Sequence, residues 1–202
     1  MKNFIILIFA LSFAFATTNI QAQDVETVDF TVELVDVLDL VITAGDAIWF
    51  TFDDPVEYNN GIDGDAIGEQ TDITCAATSD WELTIATPDL VGIANSDVMT
   101  ADNVGVYVTA SGTNTFAGGQ VTSAYTAYGS PLALTNAATI LIDNGSGNAG
   151  DETDNIFTLH WQVGTMGPGM NATSMLQHVA LGTLSLDIYN CDITLTLQAD
   201  TP

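Results

Sequence analysis

Apolar and polar residues alternate along most of this chain. From Val28 to Ile42 every second residue lies on one side and is apolar: Val28, Phe30, Val32, Leu34, Leu38, Leu40 and Ile42, with Asp36 the single interruption. The other side carries Asp29, Thr31, Glu33 and Asp39 among Val35, Val37 and Val41. This two-residue period is that of a strand with one face toward a core. The run is far longer than an ordinary strand of ~5–6 residues. Either it crosses a sandwich as one long strand broken near Asp36, or its first half, residues 24–34, is free to lie in another molecule.

The same period recurs downstream. Gly45-Asp46 marks a turn, and Ala47 to Phe52 places Ile48, Phe50 and Phe52 on one side, which predicts the partner strand of an early hairpin. Thr71 to Ala77 and Trp81 to Ile85 follow as two more strands, with Ser79-Asp80 predicted as the hairpin turn between them. Further strands are expected at Val104–Val108, Thr139–Ile142, Phe157–Val163, Leu184–Ile188 and Cys191–Leu197, and a short helical turn within 170–180. Eight to ten short strands with almost no helix predict an all-β fold, an antiparallel immunoglobulin-like sandwich of two sheets, with a closed barrel as the alternative.

Composition narrows the setting. Lys2 and the apolar run from Phe4 to Ala16 read as a secretory signal, residues 1–22, cleaved before Gln23. The run falls short of the ~20 apolar residues that span a membrane. Cleavage removes the only Lys or Arg of the chain and leaves all 26 acidic residues. Such a surface repels nucleic acid and anionic lipid, so neither is an expected partner, and no membrane insertion is expected after cleavage. Extreme acidity often accompanies disorder, but 47% hydrophobic residues in period-two groups can bury a core. Residues 23–202 therefore read as one domain, with residues 23–34 as an exchangeable N-terminal strand. The expected location is extracellular, secreted or at the cell surface.

Candidate chemistry is sparse. Cys75 and Cys191 both fall on the apolar side of their strands, and an exported chain meets an oxidising compartment, so a disulfide between them is expected. Two loops rich in Gly, Asn and acid offer oxygen ligands: Asn59, Asp63, Asp65 and Glu69 in one, Asp143, Asn144, Asp151 and Asp154 in the other. Calcium takes six to eight such oxygens, although neither loop has EF-hand spacing and the same residues build ordinary turns. No cofactor is expected, with calcium the one candidate. His160 lies on the polar side of its strand and His178 in the helical turn, neither beside a recognisable nucleophile, so no catalytic residue and no enzyme is expected. Trp81 and Trp161 read as core, whereas Trp49 has the opposite parity to its apolar neighbours and is expected to be partly buried under a loop, with sugar or a neighbouring subunit as the alternative contact. Tyr125 and Tyr128, in the uncharged stretch 103–142, are candidates for a carbohydrate platform.

The layout as a whole resembles secreted bacterial pilin-like and spore-coat-like sandwiches. The resemblance rests on the signal, the alternating start at Val28–Ile42, Trp49-Phe50-Thr51-Phe52, the Thr74–Ile85 pair with Ser79-Asp80-Trp81, and the final strand 192–198. It implies a non-enzymatic subunit that self-associates into a filament or coat, in some members by donating an N-terminal strand, here Val28, Phe30, Val32 and Leu34, to a neighbour's groove. The chain departs from that pattern in having a complete-looking last strand and unusual acidity. The alternative expectation is a secreted carbohydrate-binding or adhesive module with glycans as ligands.

Overall fold

The computed structural model describes residues 29–115, 131–143 and 147–200. The signal segment 1–22, Val28, Tyr125, Tyr128 and Asn144 lie outside them. The chain separates into two units, Met1–Leu34 and Val35–Pro202. In the first, residues 29–34 form no helix or strand, and Phe30, Val32 and Leu34 are 86%, 63% and 91% exposed.

The second unit is built almost entirely of strands. In chain order its elements are β1 (Leu38–Ala44), α1 (Pro55–Asn60), β2 (Ile62–Asp63), β3 (Gln70–Ala77), β4 (Trp81–Ala86), β5 (Leu90–Gly92), β6 (Val98–Met99), β7 (Val104–Ala110), β8 (Leu132–Ala133), β9 (Thr139–Ile142), β10 (Gly150–Val163), α2 (Met175–Ala180), β11 (Tyr189–Asn190) and β12 (Thr194–Ala199). The first sheet runs β1-β3-β10-β7-β8, with β2 also on β10; the second runs β12-β4-β9, and a small third one β11-β5-β6. Every pairing between described strands is antiparallel. The all-β antiparallel sandwich expected from the alternation is the fold, and the extra strands beyond eight to ten are pieces of two or three residues.

Burial follows parity. β3 alternates strictly, with Thr71, Ile73, Cys75 and Ala77 inward, and β10 turns Phe157, Leu159, Trp161 and Val163 to the same core. The second sheet answers with Trp81, Leu83 and Ile85, and the Trp81 and Phe157 rings stack across the core at 6.3 Å.

Three local expectations fail. β3 and β4 do not form a hairpin: after Ala77 the chain crosses from the first sheet to the second. Trp81 explains the crossing, because the buried Asn148 accepts from its backbone N–H (2.8 Å), donates to its carbonyl (2.8 Å) and takes the indole N–H on its own carbonyl (2.9 Å). Nor does Ala47–Phe52 pair with β1, whose partner is β3. Leu184–Ile188 likewise forms no strand. Helix α1 has clear causes in Pro55 at its start and a capping box between Asp54 and Glu57.

Candidate functional site

Gly45 closes β1 at φ +69°, and a Cβ there would stand 1.8 Å from the carbonyl oxygen of Gln70, so only glycine fits. Its carbonyl accepts from Thr71 Oγ1 (2.7 Å), and the same hydroxyl accepts from Trp161 Nε1 (2.9 Å). This turn, pinned to β3, sends residues 46–53 away from the first sheet. The segment still alternates, with Ile48, Phe50 and Phe52 partly buried against the core and Trp49 62% exposed rather than sheltered by a loop. Trp49 N donates to Glu69 Oε2 (2.9 Å), but among the described residues the N–H groups of 47, 48, 50, 51 and 52 meet no backbone acceptor.

Across from it, the chain from Leu184 to Ile193 is held by Asp187, whose carboxylate accepts from Asn95 N (2.8 Å), Ile188 N (2.8 Å) and Ala94 N (2.9 Å). Those amides, Asn95 foremost, keep the Asp187 carboxyl below its usual range. Between the two segments lies a cleft of about 670 Å³ whose lining includes Met99, Val104, Trp161 and Met175. A packing void holds one water of ~30 Å³ at most; this cleft has room for several side chains. The sandwich is therefore not closed here. β1 and β12 are the end strands of their sheets, and β1 leaves Val41 and Ile42 exposed. An open apolar cleft beside two strands that end the described sheets can accept an extended apolar segment.

A second constellation lies on the polar outer face of the first sheet. His160 on β10 stands in register between Gln70 of β3 and Tyr107 of β7. Its Nδ1 donates to Asp65 Oδ1 (2.6 Å), its Nε2 is 2.7 Å from Thr109 Oγ1, and the Tyr107 ring stacks on the imidazole at 4.5 Å and 7°. Asp65 also accepts from Gln70 Nε2 (2.6 Å) and from the Tyr107 hydroxyl. Partial burial pushes Asp65 upward, but the hydrogen bonds from Tyr107, His160 and Gln70 outweigh it and hold the carboxyl below its ordinary value. Neighbouring Asp63 moves the other way, raised mainly by burial against the opposing hydrogen bond from the Asp65 amide.

No family model and no curated protein matches the chain. One solved structure aligned with it is a family 123 glycoside hydrolase from Clostridium perfringens, 13% identical, with a TM-score of 0.32 over 82% of this chain and 25% of that one. The chain thus spans about a quarter of that hydrolase, and a likeness at this level carries no argument about function.

The residues singled out in the sequence fare unevenly. Cys75 and Cys191 are both free, so the expected disulfide is absent. Cys75 is buried in the first sheet opposite Leu40 and Asn155, whereas Cys191, ahead of β12, accepts from Thr87 Oγ1 (3.2 Å) just past β4. Burial, with a contribution from Asp39, pushes the Cys75 thiol up to about 12. Among the described residues no group of three or more His, Cys, Asp or Glu is arranged to hold a metal ion. Asn59 bonds Asn60, Asp63 caps the Gly64–Ala66 turn through Asp65 N, and Asp65 joins the His160 cluster. Asp151 accepts from Thr153 and Asp154 amides, and Asp154 from the Asp151 amide and the Thr113 hydroxyl. Among the described residues Asp143 forms no ligand group with them. The Thr109 hydroxyl beside His160 was hidden in the sequence because strand pairing alone brings them together.

Proposed function

We propose that this chain is a secreted structural subunit that self-associates into a surface filament or coat by adding its N-terminal strand to a neighbouring copy. The observation that carries this reading is the exposed apolar face of Phe30, Val32 and Leu34, directly ahead of a sheet-end strand, in a chain whose sandwich is open at an apolar cleft. Exposed apolar strands are normally blunted, and among the described residues of this segment only the charges of Asp29 and Glu33 on the alternate positions do so.

A chain adding its own strand would have to reverse at Val35-Asp36, since Val37 is already fixed to Thr78 through its N–H (2.8 Å) and carbonyl (3.1 Å). Tight hairpin turns want Asn-Gly or Gly in positive-φ positions, which a β-branched Val resists, so a second copy is the better recipient. No helix of the described residues is long and apolar enough to cross a membrane. Negative-stain microscopy of the secreted protein, with and without residues 23–34, is the test: fibres or sheets from the first and none from the second are expected, and folded monomers from both would sink the proposal.

A second reading, a carbohydrate-binding or adhesive module, draws on Trp49, an exposed ring at the cleft with Asp46 nearby. Glycan-array binding lost in Trp49→Ala would support it, and the absence of any glycan signal would remove it.

A further inference from the structure

The outer-face cluster has chemistry that assembly leaves unused. An ionised Asp65 can only accept, so His160 Nδ1 at 2.6 Å carries the proton of that bond. In the neutral imidazole Nε2 is then a lone pair, and the Thr109 hydroxyl at 2.7 Å is the donor. The relay runs one way: Thr109 O–H to His160 Nε2, and His160 Nδ1–H to Asp65. This is the order of groups that activates a hydroxyl nucleophile, a base in contact with it and a carboxylate fixing the base's tautomer.

Two features go beyond a clasp that ties the Gly64–Ala66 turn to the sheet. Thr109 is exposed while His160 is buried, so the nucleophile faces solvent and its base does not. Tyr107 lies flat on the imidazole and also bonds Asp65, which fixes the ring plane and completes the carboxylate without competing for Nε2. A clasp needs only the Nδ1 side of the histidine. The Nε2 side is aimed at a reactive group.

We propose that Thr109 is an activated nucleophile that takes acyl groups from small neutral esters, with His160 as its general base and Asp65 as a positioning residue. Thr109 Oγ1 bonds to the ester carbonyl carbon as its proton passes to His160 Nε2. The tetrahedral adduct then breaks its bond to the leaving oxygen, which takes that proton from Nε2. The products are a Thr109 ester and the free alcohol, with no change of oxidation state. The acidity of the chain selects neutral esters over anionic ones.

The test uses the full mature protein with p-nitrophenyl acetate, reading acetylation by intact mass and its position by peptide mapping. Cleavage removes Lys2, so the mature chain has no lysine to compete for the acetyl group. Acetyl on Thr109 is expected. Thr109→Val, at an exposed position, should abolish it with the circular dichroism unchanged, and Thr109→Ser should retain it. Asp65→Asn and His160→Gln should slow it by roughly 10²-fold or more. No acetyl on Thr109 in folded protein, or a rate unmoved by Asp65→Asn, would overturn the proposal, and Thr109→Val and Thr109→Ser decide it even if His160→Gln fails to fold.

Discussion

Asp65 collects three hydrogen bonds from Gln70, Tyr107 and His160, and its carboxyl is held below the ordinary value of ~3.9. A depressed carboxylate contributes stability that is fully present above its unfolded pKa and is lost as pH falls through the lower folded value. Asp63, raised by burial, has the opposite sign, and removing it relieves a cost at neutral pH. Thermal melts should therefore show Asp65→Asn less stable at about pH 7, by about 1–3 kcal/mol for hydrogen bonds to a charged group, and nearly equal to wild type at about pH 2. An equal deficit at both pH values would mean that shape, not charge, holds the cluster. The cysteines make a sharper test: native protein should yield one reactive thiol, Cys191, and denatured protein two, since Cys75 is buried and pushed up to about 12. None after denaturation would restore the disulfide. At this scale parity was legible in the sequence, and partnership was not. His160 was readable as outward-facing, but its neighbours come from β3, β7 and the turn at Gly64, up to 95 residues away in the chain.

Asn148 shows the same limit among the elements. It stands in the Gly/Asn/Asp loop whose Asp143, Asn144, Asp151 and Asp154 offered calcium oxygens, and it is passed over there because turns and calcium sites draw on the same residues. In the fold it is buried, and it satisfies both the N–H and the C=O of Trp81 where the chain passes between sheets. Asn148→Ala removes the side-chain partner of both backbone groups of Trp81, and urea unfolding should show a loss of about 2–4 kcal/mol; a loss near zero would mean that the crossover is held by the Trp81–Phe157 packing alone. Residues 150–154 read as a loop in the sequence and instead begin β10. The alternating strands β3 and β4 were legible, since burial on one face dictates period two, and so were β7, although it is buried on both faces, and the half of β10 from Phe157. Their pairing was not, because alternation says which face is inward and nothing about the neighbour. Ala47–Phe52 is the instructive failure: its apolar side does meet the core, but the Gly45 turn against Gln70 denies it the edge of β1.

For the molecule as a whole, an open cleft, a strand that ends its described sheet and an exposed apolar N-terminal segment coexist with a formal net charge of −25. Burying Phe30, Val32 and Leu34 yields ~1.5–3 kcal/mol each. Association costs about 4–15 kcal/mol, so side chains alone leave a contact marginal and backbone pairing along the strand must supply the rest. Repulsion between like-charged copies opposes it further and is screened by salt, with a Debye length of ~10 Å at 0.1 M falling to ~3 Å at 1 M. Sedimentation of the mature chain beside a Phe30→Asp/Leu34→Asp variant tests this most directly, because both positions are exposed and the variant should fold normally. Wild type should form large assemblies that grow as salt is raised to about 1 M, and the variant should stay monomeric throughout. Equal sedimentation of the two proteins at every salt concentration would contradict assembly through the N-terminal strand.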